Sequence, residues 1–348
     1  MKILTIDAEG ALEVVELPVP EPNDDQALVR IEACGICGTD RKVLHRSFKG
    51  LPPDKYPAFF GHEAAGIVEK VGKNVTAFKV GDRVIRPGNY PTQGYSCIGG
   101  WGAFAEYALA NDVGALLKSG ITPDTPGFPA FSYVQTVVDK SISSIDAVIV
   151  ITLREVLAAI RSFGIESDQS VAVLGCGPVG QAYIKFLSLM GVGPIFAMEI
   201  DESKLSIAEE SGADYVFNSA DGSYKEKIRG ILPKGVDYVI DAAGYLPFIN
   251  DSMEFIADRG KICCYGVAAQ SSYNLDWSKA SLNWQLIFQQ FPNKLEESRA
   301  SSQIYAWIKS GALDPGDYVS DVMEFKDVIP AFEKFDAGKI RKKCVITF

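Results

Sequence analysis

The sequence predicts an α/β protein of two domains, one rich in short strands and one built on a doubly wound parallel sheet. Three observations carry this prediction. Up to about residue 115, short alternating apolar segments are separated by glycines. From about residue 150, buried-strand and helix patterns alternate, which marks βαβ units and a parallel sheet. At 173–180, "VLGCGPVG" closes a strand and opens a helix. With 348 residues and 47% hydrophobic content, the chain can bury two cores.

The elements follow in order. "ALVRIEA" (27–33) alternates, with Val29 and Ile31 on one face and Arg30 and Glu32 on the other. "AAGIVEKVG" (64–72), "GDRVI" (81–85) and "GGWGAFAEYALA" (99–110) read as further strands of a compact barrel-like domain. The stretch 118–150 reads as a long, ordered connection containing prolines and aromatics. Then come strand "SVAVLG" (170–175), helix "QAYIKFLSLMG" (181–191), strand "PIFAMEI" (194–200) and helix "ESKLSIAEESG" (202–212). The alternation continues through "DYVFN", "YKEKIRGI", "VDYVIDAAG", "PFINDSMEFIA" and "GKICCYG" (260–266). After about residue 290 it stops: "SSQIYAWIKSG" and "DVIPAFEKFDAGK" read as helices and "KKCVITF" as a closing strand.

Composition excludes several classes. A formal net charge of −10 argues against nucleic acid as a partner. The N-terminus has no apolar stretch long enough for a signal peptide, and "AVIVI" (147–151) is too short to span a bilayer, so a cytoplasmic protein without membrane contact is expected. Seven cysteines at irregular spacing do not form a disulfide framework, and most read as small buried apolar residues.

Gly175, Gly177, Pro178, Val179 and Gly180 make the glycine-rich turn of a dinucleotide site. Its glycines permit a tight turn, and a helix N-terminus favours the pyrophosphate. Glu199, at the end of the next strand, is placed to accept hydrogen bonds from ribose hydroxyls and to repel a 2′-phosphate, which favours NAD over NADP. The chain has two histidines. One, His62, is followed by Glu63 and preceded by Gly61, with Cys37 upstream in a glycine-rich turn before Thr39 and Asp40. Thiolate, imidazole and carboxylate are donors of an open catalytic zinc site. Spacing alone leaves both readings of His62 open, metal ligand and satisfied core histidine.

"ACGICGTD" (33–40), "GHEAAGIVEKVGKNVTAFKVGDRV" (61–84), "GGWGAFAEYAL" (99–109) and "VAVLGCGPVG" (171–180) together resemble the zinc-containing medium-chain dehydrogenase/reductase family. That family includes alcohol, sorbitol, threonine and glucose dehydrogenases. The resemblance covers nearly the whole chain. It implies a GroES-like catalytic domain at 1–150 and 288–348, split around a Rossmann NAD-binding domain at 151–287. It also implies zinc held by Cys37, His62 and Glu63 with a water, and Lys204 assisting Glu199 at the ribose. Hydride would pass from an alcohol carbon to the nicotinamide, with zinc as Lewis acid and Thr39 taking the proton. A polyol or sugar is the expected substrate. Threonine or a simple secondary alcohol is the alternative, and a non-catalytic NAD sensor a further one. Relatives imply a homodimer or homotetramer.

The chain departs from the family in several places. The segment "IRPGNYPTQGYSCIGG" (85–100) offers only Cys97 where members with a structural zinc have four clustered cysteines, so one catalytic zinc and no structural one is expected. Ile151 stands where many members carry a glutamate or cysteine near the metal, and Glu155, one turn later, is the nearest carboxylate. Lys42 replaces a relay histidine. His45 either substitutes for it or, as the favoured reading, lies on the surface. Cys34 reads as packing beside the ligand turn.

Overall fold

The computed structural model describes all residues, Met1–Phe348. In chain order the elements begin with β1 (Lys2–Ile6), β2 (Leu12–Glu16), β3 (Gln26–Ile36), α1 (Gly38–Leu44), β4 (Ala58–Phe59) and β5 (Glu63–Val71). Next are β6 (Arg83–Ile85), β7 (Ser96–Cys97), β8 (Tyr107–Asn111), α2 (Val113–Lys118), β9 (Val137–Val138) and α3 (Ser144–Phe163). The alternating half holds β10 (Val171–Leu174), α4 (Pro178–Leu189), β11 (Ile195–Glu199), α5 (Leu205–Ser211), β12 (Tyr215–Asn218), α6 (Tyr224–Ile231) and β13 (Val236–Asp241). It continues through α7 (Pro247–Ser252), β14 (Ile256–Cys264) and β15 (Trp284–Phe288). The chain closes with α8 (Lys294–Ser310), β16 (Val319–Glu324), α9 (Val328–Asp336) and β17 (Lys343–Thr347).

The chain divides into two compact units, Met1–Thr152 with Ile304–Phe348, and Leu153–Gln303. In the first unit, one sheet runs β16-β17-β3-β5-β6-β9, with β8 also pairing with β3, and a smaller sheet runs β2-β1-β4-β7. The long central strand β3 is paired along its length with β5, and β17 joins its C-terminal end antiparallel, with Cys344 opposite Ile36. In the second unit, six parallel strands lie in the order β12-β11-β10-β13-β14-β15. This is the doubly wound order with a switch point beside β10. Phe196, Met198, Phe248, Phe255 and Ile262 are among its fully buried core side chains.

Local sequence explains the helix ends. Asp112 caps α2 by accepting from the N–H groups of Gly114 and Ala115 at 2.8 and 3.1 Å. Pro178 occupies the first position of α4, where no N–H is needed. Gly212, at φ 108°, ends α5 in the left-handed conformation that glycine adopts without strain.

Several sequence expectations need correction. The segment 118–150 is not simply a connection, because α3 begins at Ser144 and "AVIVI" forms its second turn. Between Ala147 and Ile160 this helix is almost wholly buried, so its first turns read as a continuous apolar run rather than the stripe of a surface helix. The strand expected over 99–110 is confined to β8, and Trp101 makes only an isolated bridge to Asn89. In "PFINDSMEFIA" the helix ends at Ser252, and the last two residues already belong to β14. The hairpin β1–β2 and the strands β4, β7, β9, β15 and β16 have no counterpart in the sequence patterns above. No helix is long and apolar enough to cross a membrane.

Candidate active site: a buried cysteine–histidine–glutamate cluster and a nucleotide loop

The donor set assembles at one end of the larger sheet of the first unit. Cys37 follows β3 and caps α1. Its N–H donates to Asp40 Oδ2 at 2.9 Å, and its sulfur lies 3.8 Å from Thr39 Oγ1. His62 and Glu63 stand where the chain enters β5. Gly61 makes the approach possible. It sits at φ 88°, and a Cβ there would lie 2.4 Å from the Phe104 ring. One potential ligand atom from each of Cys37, His62 and Glu63 lies within 4.8 Å of the others. His62 and Glu63 are buried, and Thr39 nearly so.

Each donor is held by a neighbour. The His62 ring stacks on Trp101 at 4.2 Å between centroids, and Trp101 stacks in turn on Phe48 at 5.5 Å. His62 Nδ1 faces Asp40 Oδ1 at 3.5 Å, leaving Nε2 as the ring nitrogen free to bind. Burial alone would lower the His62 pKa. The Asp40 carboxylate outweighs it, with Cys37 adding to the effect, and the value is pushed up to about 10. Glu63 accepts from Lys343 Nζ at 2.7 Å through Oε2 and from Thr152 Oγ1 at 3.1 Å through Oε1. A thiol, an imidazole nitrogen and a carboxylate converging on one buried point suit a zinc ion with one place left open. Lys343, Thr152, Asp40 and Trp101 are the supports that motif reading did not assign. Asp40 and Trp101 lie within quoted motifs, while Thr152 and Lys343 lie outside them.

Among the remaining candidates, Ile151 is fully buried and carries no donor, and Glu155 pairs with Lys294 at 3.2 Å. His45 is exposed and bound to Asp336 Oδ1 at 2.7 Å beside Arg41, which accords with the surface reading. Cys34 is fully buried, and burial raises its thiol pKa well above the ordinary value. Cys97 gives its thiol to the carbonyls of Asn89 and Ile98, at 3.4 and 3.3 Å. A separate cleft of about 600 Å³ in the first unit is lined by Asp139, Asp146, Lys309 and Asp314 among others. Three of these carboxylates serve local turns, with Ser141, Ser143 and Gly316, and do not converge.

In the second unit the glycine loop joins β10 to α4. Gly175 is at φ 91°. A Cβ on Gly180 would lie 1.7 Å from the Gly175 carbonyl oxygen, so helix and strand approach too closely for any side chain. A Cβ on Gly177 would meet nothing within 4 Å, so the loop is open at the mouth of α4. An anion there would face the N–H groups that a first helical turn leaves unpaired. Glu199, at the end of β11, accepts from Cys176 N–H through Oε2 at 2.8 Å, and through Oε1 from the N–H groups of Ile200 and Asp201 at 2.9 and 3.2 Å. It therefore fixes the loop. Lys204 is partly exposed, with its ammonium 3.7 Å from Asp201.

Comparison with known proteins accords with this geometry. Residues 23–119 match the alcohol dehydrogenase GroES-like domain and residues 178–290 match the zinc-binding dehydrogenase domain. The chain is 30% identical to D-altritol 5-dehydrogenase of Agrobacterium fabrum over 268 residues, 75% of each chain. It is 27% identical to sorbitol dehydrogenase of Bacillus subtilis over 287 residues, 79% of this chain and 78% of the relative. A zinc-binding dehydrogenase of Sinorhizobium meliloti bound to NADP superposes with a TM-score of 0.78 at 23% identity, covering 100% of this chain and 99% of that one, a likeness of fold. The first family match spans Cys37, His62 and Glu63, and the second begins at Pro178, inside the glycine loop. The chain therefore belongs to the zinc-containing medium-chain dehydrogenase/reductase family.

Proposed function

We propose that the protein oxidises a secondary hydroxyl of a polyol or sugar, passing hydride to NAD at a single zinc held by Cys37, His62 and Glu63. The observation that carries this reading is the buried convergence of those three donors. The sorbitol and altritol dehydrogenases among its relatives support the substrate class. In this reading residues 151–287 hold the nucleotide, and 1–150 with 288–348 carry the alcohol chemistry.

When bound, zinc supplies Lewis acidity to the substrate oxygen and the nicotinamide accepts the hydride. The chain's own residues do the rest. Asp40 fixes the His62 ring and its tautomer, as a carboxylate behind a ligating histidine does. Thr39, beside Cys37, takes the hydroxyl proton. Gly175, Gly177, Pro178, Val179 and Gly180 seat the pyrophosphate. Glu199, with Lys204 nearby, binds the ribose and opposes a 2′-phosphate. The absence of a second cysteine cluster supports one zinc per chain. The exposed outer strand β15, with Phe288 and the neighbouring Leu282 open to solvent, supports a homodimer or homotetramer. The protein acts in the cytoplasm.

Elemental analysis with an NAD-reduction screen over polyols, aldoses, threonine and simple secondary alcohols tests the proposal. One zinc per chain and turnover of a polyol or sugar are expected. Zinc absent after growth in zinc-supplemented medium overturns the mechanism. Turnover of threonine or short alcohols alone overturns the substrate class.

A further inference from the structure

Lys343 is a buried cation, its side chain 5% exposed. It reaches the donor cluster from β17 and holds Glu63 Oε2 at 2.7 Å. Space for the pair depends on Gly35, opposite Glu63 in the sheet. A Cβ at Gly35 would lie 2.9 Å from Glu63 Oε2, 3.4 Å from Lys343 Cδ and 2.8 Å from Val148. Thr152 holds the other carboxylate oxygen. Asp40 and Cys37 also act electrostatically on the same ammonium. Lys343 is thus the direct counter-ion of Glu63, while the His62 ring faces Asp40.

We propose that Lys343 competes with the metal for Glu63, so that it weakens zinc binding while stabilising the metal-free protein. The inference rests on the reading of Cys37, His62 and Glu63 as the zinc donors. The physical reason is linkage. A cation that neutralises the cluster in the empty state lowers what an incoming divalent ion gains. Once zinc is bound, the ammonium and the ion repel each other across a shared carboxylate. A lysine that only positioned Glu63 would act in the opposite sense, because its removal would loosen a ligand and weaken zinc binding.

The test uses full-length protein stripped of metal, with zinc affinity measured by chelator competition and melting temperature measured with and without zinc. Lys343→Met is expected to bind zinc roughly 10- to 100-fold more tightly than wild type. Its metal-free form should melt lower, and its melting temperature should rise more on zinc addition. Lys343→Arg keeps the charge and should stay near wild type. Should Lys343→Met not accumulate in soluble form, Lys343→Gln removes the charge while keeping a donor toward Glu63, and should show the same direction. Cys37→Ser confirms which site is titrated. Unchanged or weaker zinc binding in the Met or Gln variant, with wild type binding one zinc, overturns the competition alone. Zinc binding absent from wild type but present in the Met variant supports it in its strongest form. Binding absent from both overturns the zinc reading and this inference together.

Discussion

Arg154 and Glu297 offer a direct test of what ties α3 to α8. Both side chains are fully buried, 3.5 Å apart, and Arg154 also donates to Ser301 at 3.3 Å. Lys294 pairs with Glu297 at 2.7 Å and with Glu155 at 3.2 Å. Arg154, Lys294, Glu155 and Glu297 therefore meet in one nearly solvent-free cluster. Glu297→Leu leaves two cations facing one carboxylate, and Arg154→Leu leaves the reverse. Breaking a buried pair by removing one partner costs about 3–5 kcal/mol. With an m-value of about 3 kcal/mol/M, that moves the urea midpoint down by about 1–1.7 M. The double variant removes one charge of each sign and leaves Lys294 with Glu155. It should regain most of the loss, because an apolar replacement of a whole buried pair is often nearly neutral. Equilibrium urea denaturation of wild type, both single variants and the double variant completes the cycle. Singles that each cost less than about 1 kcal/mol, or a double variant as unstable as their sum, would refute the claim that the charges are coupled through burial.

Other outcomes are equally specific. Thr39→Ala should lower kcat by roughly 10²–10⁴-fold while Thr39→Ser retains most activity, as steady-state kinetics will show; equal behaviour of the two variants reduces Thr39 to a turn residue. Glu199→Ser should narrow the preference for NAD, the charged hydrogen bond it removes being worth roughly 1.5–3 kcal/mol. The same variant releases the N–H of Cys176, so KM for both cofactors should rise, and an unchanged KM for both contradicts the loop-fixing role. The His62 pKa of about 10 lies above the ordinary 6.5. Its stabilising effect on the metal-free protein is therefore complete below pH 6.5 and is lost as pH rises through about 10. A zinc ligand must be neutral, so zinc binding at pH 7 should release the His62 proton and tighten as pH rises. Calorimetric titration in buffers of different ionisation enthalpy counts the protons, and a count of zero contradicts the assignment.

The parallel-sheet half was legible because its signals are local. β10, β11 and β13 are short, largely buried apolar runs followed by helices. β15 escaped because it lies at the edge, half exposed, after a long polar stretch. β16 alternates only between exposed and half-buried positions, which is the weak pattern of an edge strand. The first turns of α3 were hidden by uniform hydrophobicity, since an apolar run of that length does not distinguish helix from strand. Cys37, His62 and Glu63 could be read because glycines and neighbouring donors surround them in sequence. Thr152 and Lys343 could not. They are 89 and 280 residues from Glu63, and nothing near them shows what they face. The one available hint was a lysine at the head of an otherwise apolar closing strand.

The position of β17 also bears on how the protein is made. It lies between β16 and β3, so the main sheet of the first unit is interrupted until residues 343–347 are available. During vectorial synthesis the second unit should emerge before β17, leaving the first with a gap beside β3. Glu63 spends that interval without its lysine partner. A ribosome-bound chain halted before residue 343 should hold a folded nucleotide unit and an open, protease-sensitive first unit. Deleting residues 343–348 should likewise separate β16 from β3.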